Sequence, residues 1–132
     1  MKLLLDTHIL LWWYLDSPEI PKKHLVQLNE AEGKGEPLGL SIISLWEIAK
    51  LVSSGKIQVS FSVDHWFQQL EDDPIVRILP LSSSIILESV RLGEKFHKDP
   101  ADQLIVATAR FYGCRLMTVD ERIVNSGTVL LA

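Results

Sequence analysis

Five acidic residues could do chemistry together. Asp6 closes the leucine run Leu3-Leu4-Leu5, where a carboxylate is costly to bury unpaired. Glu47 has Ile43 and Leu51 four residues to either side, so on a helix it projects from an apolar stripe. Asp99 and Asp102 open an apolar helical segment, and Asp120 closes Arg115-Leu116-Met117-Thr118-Val119. Carboxylates gathered at one place repel, and some are forced to protonate. A divalent cation removes that conflict. Ligation by oxygen alone suits Mg²⁺ or Mn²⁺. Such an ion lowers the pKa of a bound water and neutralises charge on a phosphoryl group.

Each acid also has a simpler role open to it. Asp99 before Pro100 makes a helix N-cap with proline at the first helical position. Asp102 then lies in the first turn, where negative charge suits the helix dipole. Ser44-Leu45-Trp46-Glu47 fits a capping box if its helix starts late, and Lys50 is placed to pair with Glu47. Asp120 can cap a short helix. Joint placement at strand ends is what favours function over these separate explanations.

That placement depends on the elements. Short apolar runs at Lys2 to Asp6, Leu38 to Ser41, Val76 to Leu79, Arg115 to Val119 and Thr128 to Leu131 read as strands. Helices are predicted over Thr7 to Leu15, Pro21 to Ala31, Ile42 to Val52, Val63 to Asp72, Ser82 to Lys95 and Pro100 to Tyr112, with a short one after Asp120. Strands alternating with helices imply an α/β domain with a mainly parallel sheet, whose ligand site lies beyond the carboxyl ends of the strands.

The composition narrows the function classes. The 132 residues, 47% hydrophobic and 23% charged, are enough for one domain with a real core. A net charge of -4 argues against a broad electrostatic grip on nucleic acid, so phosphate contact must come from local patches or bound cations. The lone cysteine, Cys114, excludes an internal disulfide framework and a cysteine-based zinc cluster. No apolar run approaches the roughly 18 residues that span a bilayer. Asp6 and His8 interrupt the signal-like start. A soluble, unprocessed, cytoplasmic protein without membrane contact is the expectation.

Four blocks carry a resemblance that spans nearly the whole chain. Leu4-Leu5-Asp6-Thr7-His8, Ser41-Ile42-Ile43-Ser44-Leu45-Trp46-Glu47-Ile48, Asp99-Pro100-Ala101-Asp102-Gln103-Leu104-Ile105-Val106-Ala107-Thr108-Ala109 and Met117-Thr118-Val119-Asp120 resemble, in order, the blocks of a PIN domain, most closely the VapC-like toxin group. The resemblance implies a three-layer α/β/α fold with five strands in the order 3-2-1-4-5. It implies an endoribonuclease dependent on Mg²⁺ or Mn²⁺. Asp6, Glu47, Asp102 and Asp120 match the family's four acids, Asp99 an additional one, and Thr118 a hydroxyl beside the fourth. Gln103 stands where the family's fuller motif has Arg, which removes any arginine contact from that position. Partners implied are RNA, a small cognate (VapB-like) antitoxin and a second copy of the chain.

Other residues weigh less. His8 and His97 are near the acids in sequence but are expected to be structural and solvated, respectively. Trp12, Trp13, Trp46 and Trp66 are expected in the core or at an interface rather than as base-stacking platforms. Lys22-Lys23-His24 and Lys95-Phe96-His97-Lys98 read as solvated basic spots. The segment Thr7 to Leu15 is apolar on every side, and together with parts of Ile42 to Val52 it is the expected antitoxin groove. Two rival functions remain. A phosphatase or phosphotransfer domain would use Asp6 as nucleophile, although His8 replaces the second Asp that haloacid-dehalogenase-type phosphatases need. A non-catalytic interaction module on the same fold is the other.

Overall fold

A computed structural model describes every residue from Met1 to Ala132. Strands β1 (Leu3–Leu5), β2 (Leu38–Ser41), β3 (Val76–Leu79) and β4 (Arg115–Met117) form one parallel sheet in the order β3-β2-β1-β4. Helices α1 (Thr7–Tyr14), α2 (Lys22–Gly33), α3 (Ile42–Ser53), α4 (Val63–Asp72), α5 (Ser83–Val90), α6 (Pro100–Tyr112) and α7 (Glu121–Val124) link and cover the strands.

The central strands β1 and β2 are mostly buried because both faces of the sheet are covered, whereas β3 and β4, on either side of them, carry the exposed Arg77 and Arg115. Successive side chains point to opposite faces, and β1 divides accordingly. Leu5 joins a core with Ile9, Leu10, Leu28, Ile48 and Leu70, drawn from α1 to α4. Leu4 joins a second core with Ile105, Val106, Leu116 and Ile123, drawn from α6, β4 and α7. Each fully buried leucine or isoleucine contributes about 1.5–3 kcal/mol of transfer free energy. Gly39, paired with Leu4, is required by space: a Cβ there would lie 2.9 Å from Met1 Sδ and 3.0 Å from Leu4 Cδ1.

Several predicted boundaries move. The fifth strand shrinks to a single parallel bridge between Leu131 and Leu116, with Leu116 N–H donating to Leu130 O at 2.8 Å and Ala132 N–H to Leu116 O at 3.0 Å. The segment keeps the fifth place in the order, beside β4. Thr128 is drawn into a turn with Ser126 and with Gly127 at φ 66°, leaving too little chain for a ladder. The helix expected to reach Lys95 stops at Val90, because Leu92 turns into the core and Gly93 takes φ 92°. Pro21 precedes α2 as its N-cap instead of lying inside it. Ser41, not Ser44, caps α3, so the predicted capping box does not form. α1 is also better covered than its sequence suggests. Ile9, Leu10 and Leu11 are buried, and Trp12, Trp13 and Tyr14 pack half-buried on the core. The most exposed large apolar side chain is Val90 of α5, at 76%.

Candidate active site

Parallel strands deliver their carboxyl ends to one edge; Asp6 and Asp120 begin the helices that follow β1 and β4, and Asp99 begins α6. Asp6 leaves β1 as the N-cap of α1, anchored by its N–H to Met117 O at 3.0 Å. Its side chain is only 7% exposed. Oδ1 accepts the Thr7 N–H at 2.8 Å, and Oδ2 accepts the Thr118 hydroxyl at 2.6 Å. Burial pushes the Asp6 carboxyl above its usual range, against the pull of those two hydrogen bonds, and the Asp120 charge adds to the rise. The Asp120 N–H donates to the same Thr118 hydroxyl at 3.1 Å, so Thr118 ties the first acid to the fourth.

Glu47 projects from α3 toward α1. The Thr7 hydroxyl stands 2.6 Å from Glu47 Oε1 and 2.9 Å from Ser44 Oγ. Burial again raises the carboxyl; the Thr7 hydrogen bond opposes it, and Asp6, Asp102 and Asp99 reinforce it. Lys50 makes no ion pair with Glu47: its Nζ lies over the Trp46 ring instead, 4.2 Å from the centroid.

α6 supplies Asp102, likewise 7% exposed. Its Oδ2 lies 2.6 Å from His97 Nε2 and 3.4 Å from Arg122 Nη2. Burial raises this carboxyl, His97 lowers it, and the charges of Asp6, Asp99 and Asp120 raise it further. Asp120 behaves differently. It caps α7 and is gripped by Arg122 through Nη2–Oδ2 at 3.0 Å and Nε–Oδ1 at 3.3 Å, so the guanidinium holds its carboxyl below the usual range.

Asp99 is the N-cap of α6, its Oδ1 accepting from Ala101 N–H at 3.0 Å and Asp102 N–H at 3.3 Å, with Pro100 in the first turn. Asp99→Ser is expected to keep that cap, whereas Asp99→Ala should cost about 0.5–2 kcal/mol in denaturant unfolding. Equal losses in both variants would show that capping is not what Asp99 contributes to stability.

All five carboxylates line one cleft of about 300 Å³. The five carboxylates offer oxygen donors, and burial first, with their mutual charges after it, raises the pKa of Asp6, Glu47 and Asp102, a condition that a cation relieves. No three His, Cys, Asp or Glu side chains close on a single point, so the cleft is not a preformed cage. Thr118, Thr7, His97 and Arg122 hold the carboxylates around it. Mg²⁺ retains several waters and takes one or two carboxylates directly. Carboxylate oxygens of this kind fit Mg²⁺ or Mn²⁺.

The structure brings every acid singled out from the sequence to this cleft, and adds residues that were not. His97 is half-buried on Asp102, not solvated; its ring stacks on Phe96 and its Nδ1 is buried without a partner. Arg122 lies two residues past Asp120, where spacing alone carried no signal for a bridge to Asp102. Thr7 was visible only as part of the first block. Gln103 donates to His97 O at 3.2 Å, so it supports the turn that presents His97. His8 is exposed and lines the cleft near Trp12. Trp66 is buried as expected, but Trp46 is 49% exposed.

Residues 3–127 match the family model of the PIN domain. The chain is 35% identical over 120 residues to Ribonuclease VapC22 of Mycobacterium tuberculosis, covering 91% of this chain and 88% of that protein. Among solved structures it is similar to VapBC2 from Rickettsia felis bound to a promoter DNA fragment, with a TM-score of 0.73 and 17% identity over 100% of this chain and 98% of that one. It is also similar to FitAcB from Neisseria gonorrhoeae, with a TM-score of 0.70 and 20% identity over 98% and 96% of the two chains. At these identities the solved structures speak for the fold.

Proposed function

As the chain belongs to the PIN-domain family, in its VapC-like group, we propose that it is a metal-dependent endoribonuclease and the toxin of a type II toxin–antitoxin pair. The observation that carries the reading is the meeting of Asp6, Glu47, Asp102 and Asp120, with Asp99, in one cleft at the carboxyl edge of the sheet. These residues would hold Mg²⁺ or Mn²⁺, with Asp99 in a secondary role. When bound, such a cation supplies activation of water and neutralisation of phosphoryl charge. The chain's own part is positional. Thr118 fixes Asp6 through Oδ2, Thr7 fixes Glu47, and His97 fixes Asp102. Arg122 balances Asp102 and Asp120 at the more exposed side.

The resemblance to the VapC-like toxin group and the likeness to the solved VapBC2 structure support the pairing with a small antitoxin. Its proposed seat remains along α1 and α3. A homodimer is proposed through the apolar surface of α5, where Ile86, Leu87 and Val90 are exposed. No helix is long and apolar enough to cross a membrane, and a cytoplasmic site of action is part of the proposal.

The purified chain is expected to cut single-stranded RNA in Mg²⁺ or Mn²⁺, stop in EDTA, and recover with excess metal. Undiminished cutting in EDTA would overturn the metal assignment. RNA left intact in either metal would overturn the ribonuclease reading. Light scattering on the same preparation, alone and with a candidate VapB-like antitoxin, tests both partners.

A further inference from the structure

A second concavity, of about 550 Å³, adjoins the acid cleft. Glu47 and Asp99 line both, so the two are continuous along those side chains. Beside apolar Leu51, Pro100 and Ala101, its lining adds an indole from Trp46, a hydroxyl from Ser54 and ammonium groups from Lys50 and Lys56. Trp46 is the most exposed of the four tryptophans. The core has no need of it, because α3 buries Leu45 and Ile48 instead. Lys50 and Lys56 are both exposed and take part in none of the chain's ion pairs. A chain of net charge -4 thus keeps two unpaired cations and a half-exposed indole directly beside its carboxylates.

We propose that this groove is the subsite for a single-stranded RNA nucleotide next to the scissile phosphate, its base stacked on Trp46 and its backbone phosphate held by Lys50 and Lys56. The proposal rests on the ribonuclease reading above. Every base has a face for an aromatic ring, and an unpaired strand exposes it. Lys50 covers one face of the indole in the free chain, so a base would stack on that face as the ammonium swings off it to the phosphate. Charge favours this occupant over an antitoxin segment, whose proposed seat is then α1 and the part of α3 outside this groove. A basic side chain sent toward the acids would pass two lysines, whereas a phosphate is drawn to them.

The test is fluorescence anisotropy of an end-labelled, mixed-sequence single-stranded RNA, in EDTA so that it stays intact. Trp46→Ala is expected to weaken binding about 10-fold, and Trp46→Phe, which keeps a stacking face, to restore most of it. Lys50→Gln and Lys56→Gln should each reduce the slope of log affinity against log salt by about 0.7. A parent chain that neither binds nor cuts RNA would bring down the ribonuclease reading and the subsite with it. A parent that binds and cuts RNA, with all these variants binding like the parent, would overturn the subsite alone. Variants that keep RNA affinity but lose the small partner protein would also overturn it, and would give the groove to that partner. Should Trp46→Ala fail to fold, the exposed lysines carry the test, and an unchanged salt slope decides against the proposal.

Discussion

Asp6→Asn is expected to abolish RNA cleavage and, in the metal-free protein, to raise the unfolding midpoint. The residue is nearly enclosed, and burial is the main cause of its raised pKa. Removing the charge therefore removes a desolvation cost and a repulsion with Asp120. The gain should be about 0.5–2 kcal/mol, the usual yield of relieving one unfavourable site. Asparagine caps helices as well as aspartate does, so the Thr7 N–H keeps its acceptor and α1 its start. Activity should fall by more than about 100-fold, beyond the range typical of residues that only support a metal ligand. Cleavage at the parental rate, or a lower unfolding midpoint in the absence of metal, would contradict the role given to this carboxylate.

Saturating Mn²⁺ is expected to stabilise the chain by about 2.7 kcal/mol at a hundred times its dissociation constant. For a domain of this size that is a rise of about 10 °C in the unfolding midpoint. The increment should grow with pH. Asp6, Glu47 and Asp102 have folded values raised above the usual carboxylate range. Between the unfolded and folded values the native state holds more protons than the unfolded chain. Metal-free stability from these three groups is therefore greatest below about pH 4 and is lost as pH rises through the folded values. Cations bind only the ionised acids, so their stabilisation appears over that same window. Asp120 runs the other way: Arg122 lowers its pKa, so its contribution is present above the unfolded value and lost as pH falls through the folded one. Differential scanning fluorimetry with and without Mn²⁺ across this range checks the sign. An increment that shrinks as pH rises would mean that the ion does not sit on these carboxylates.

The parts of the molecule legible in the sequence were those set by local pattern. α4, β3 and α6 begin and end where periodicity and capping residues place them. The acids stand out because each interrupts or closes an apolar run. What escaped depends on contacts across the chain. His97 meets Asp102 only because the segment after α5 folds back through Leu92 and Phe96, both buried. Arg122 reaches two carboxylates by side-chain length, which spacing does not report. Trp46 lies on a helix whose apolar stripe is clear, but how much of that stripe neighbouring helices cover is a tertiary matter. The fifth strand shortens to a bridge for a similar reason, since the turn at Ser126 to Thr128 takes the first residue of the predicted strand.

Asp6, Asp99 and Asp120 are each the first fixed point of a helix as well as members of the cleft. This ties the fate of the site to the fate of the fold under mutational drift. From an aspartate codon a single base change reaches Asn, Gly, Glu, Ala, Val, His or Tyr. Of these only Asn and Gly are good residues for the start of a helix. Most ways of losing one of these acids therefore also loosen a helix, and the damaged chain is removed along with its chemistry. The route to a descendant that is folded but silent is narrow, and it runs mainly through asparagine.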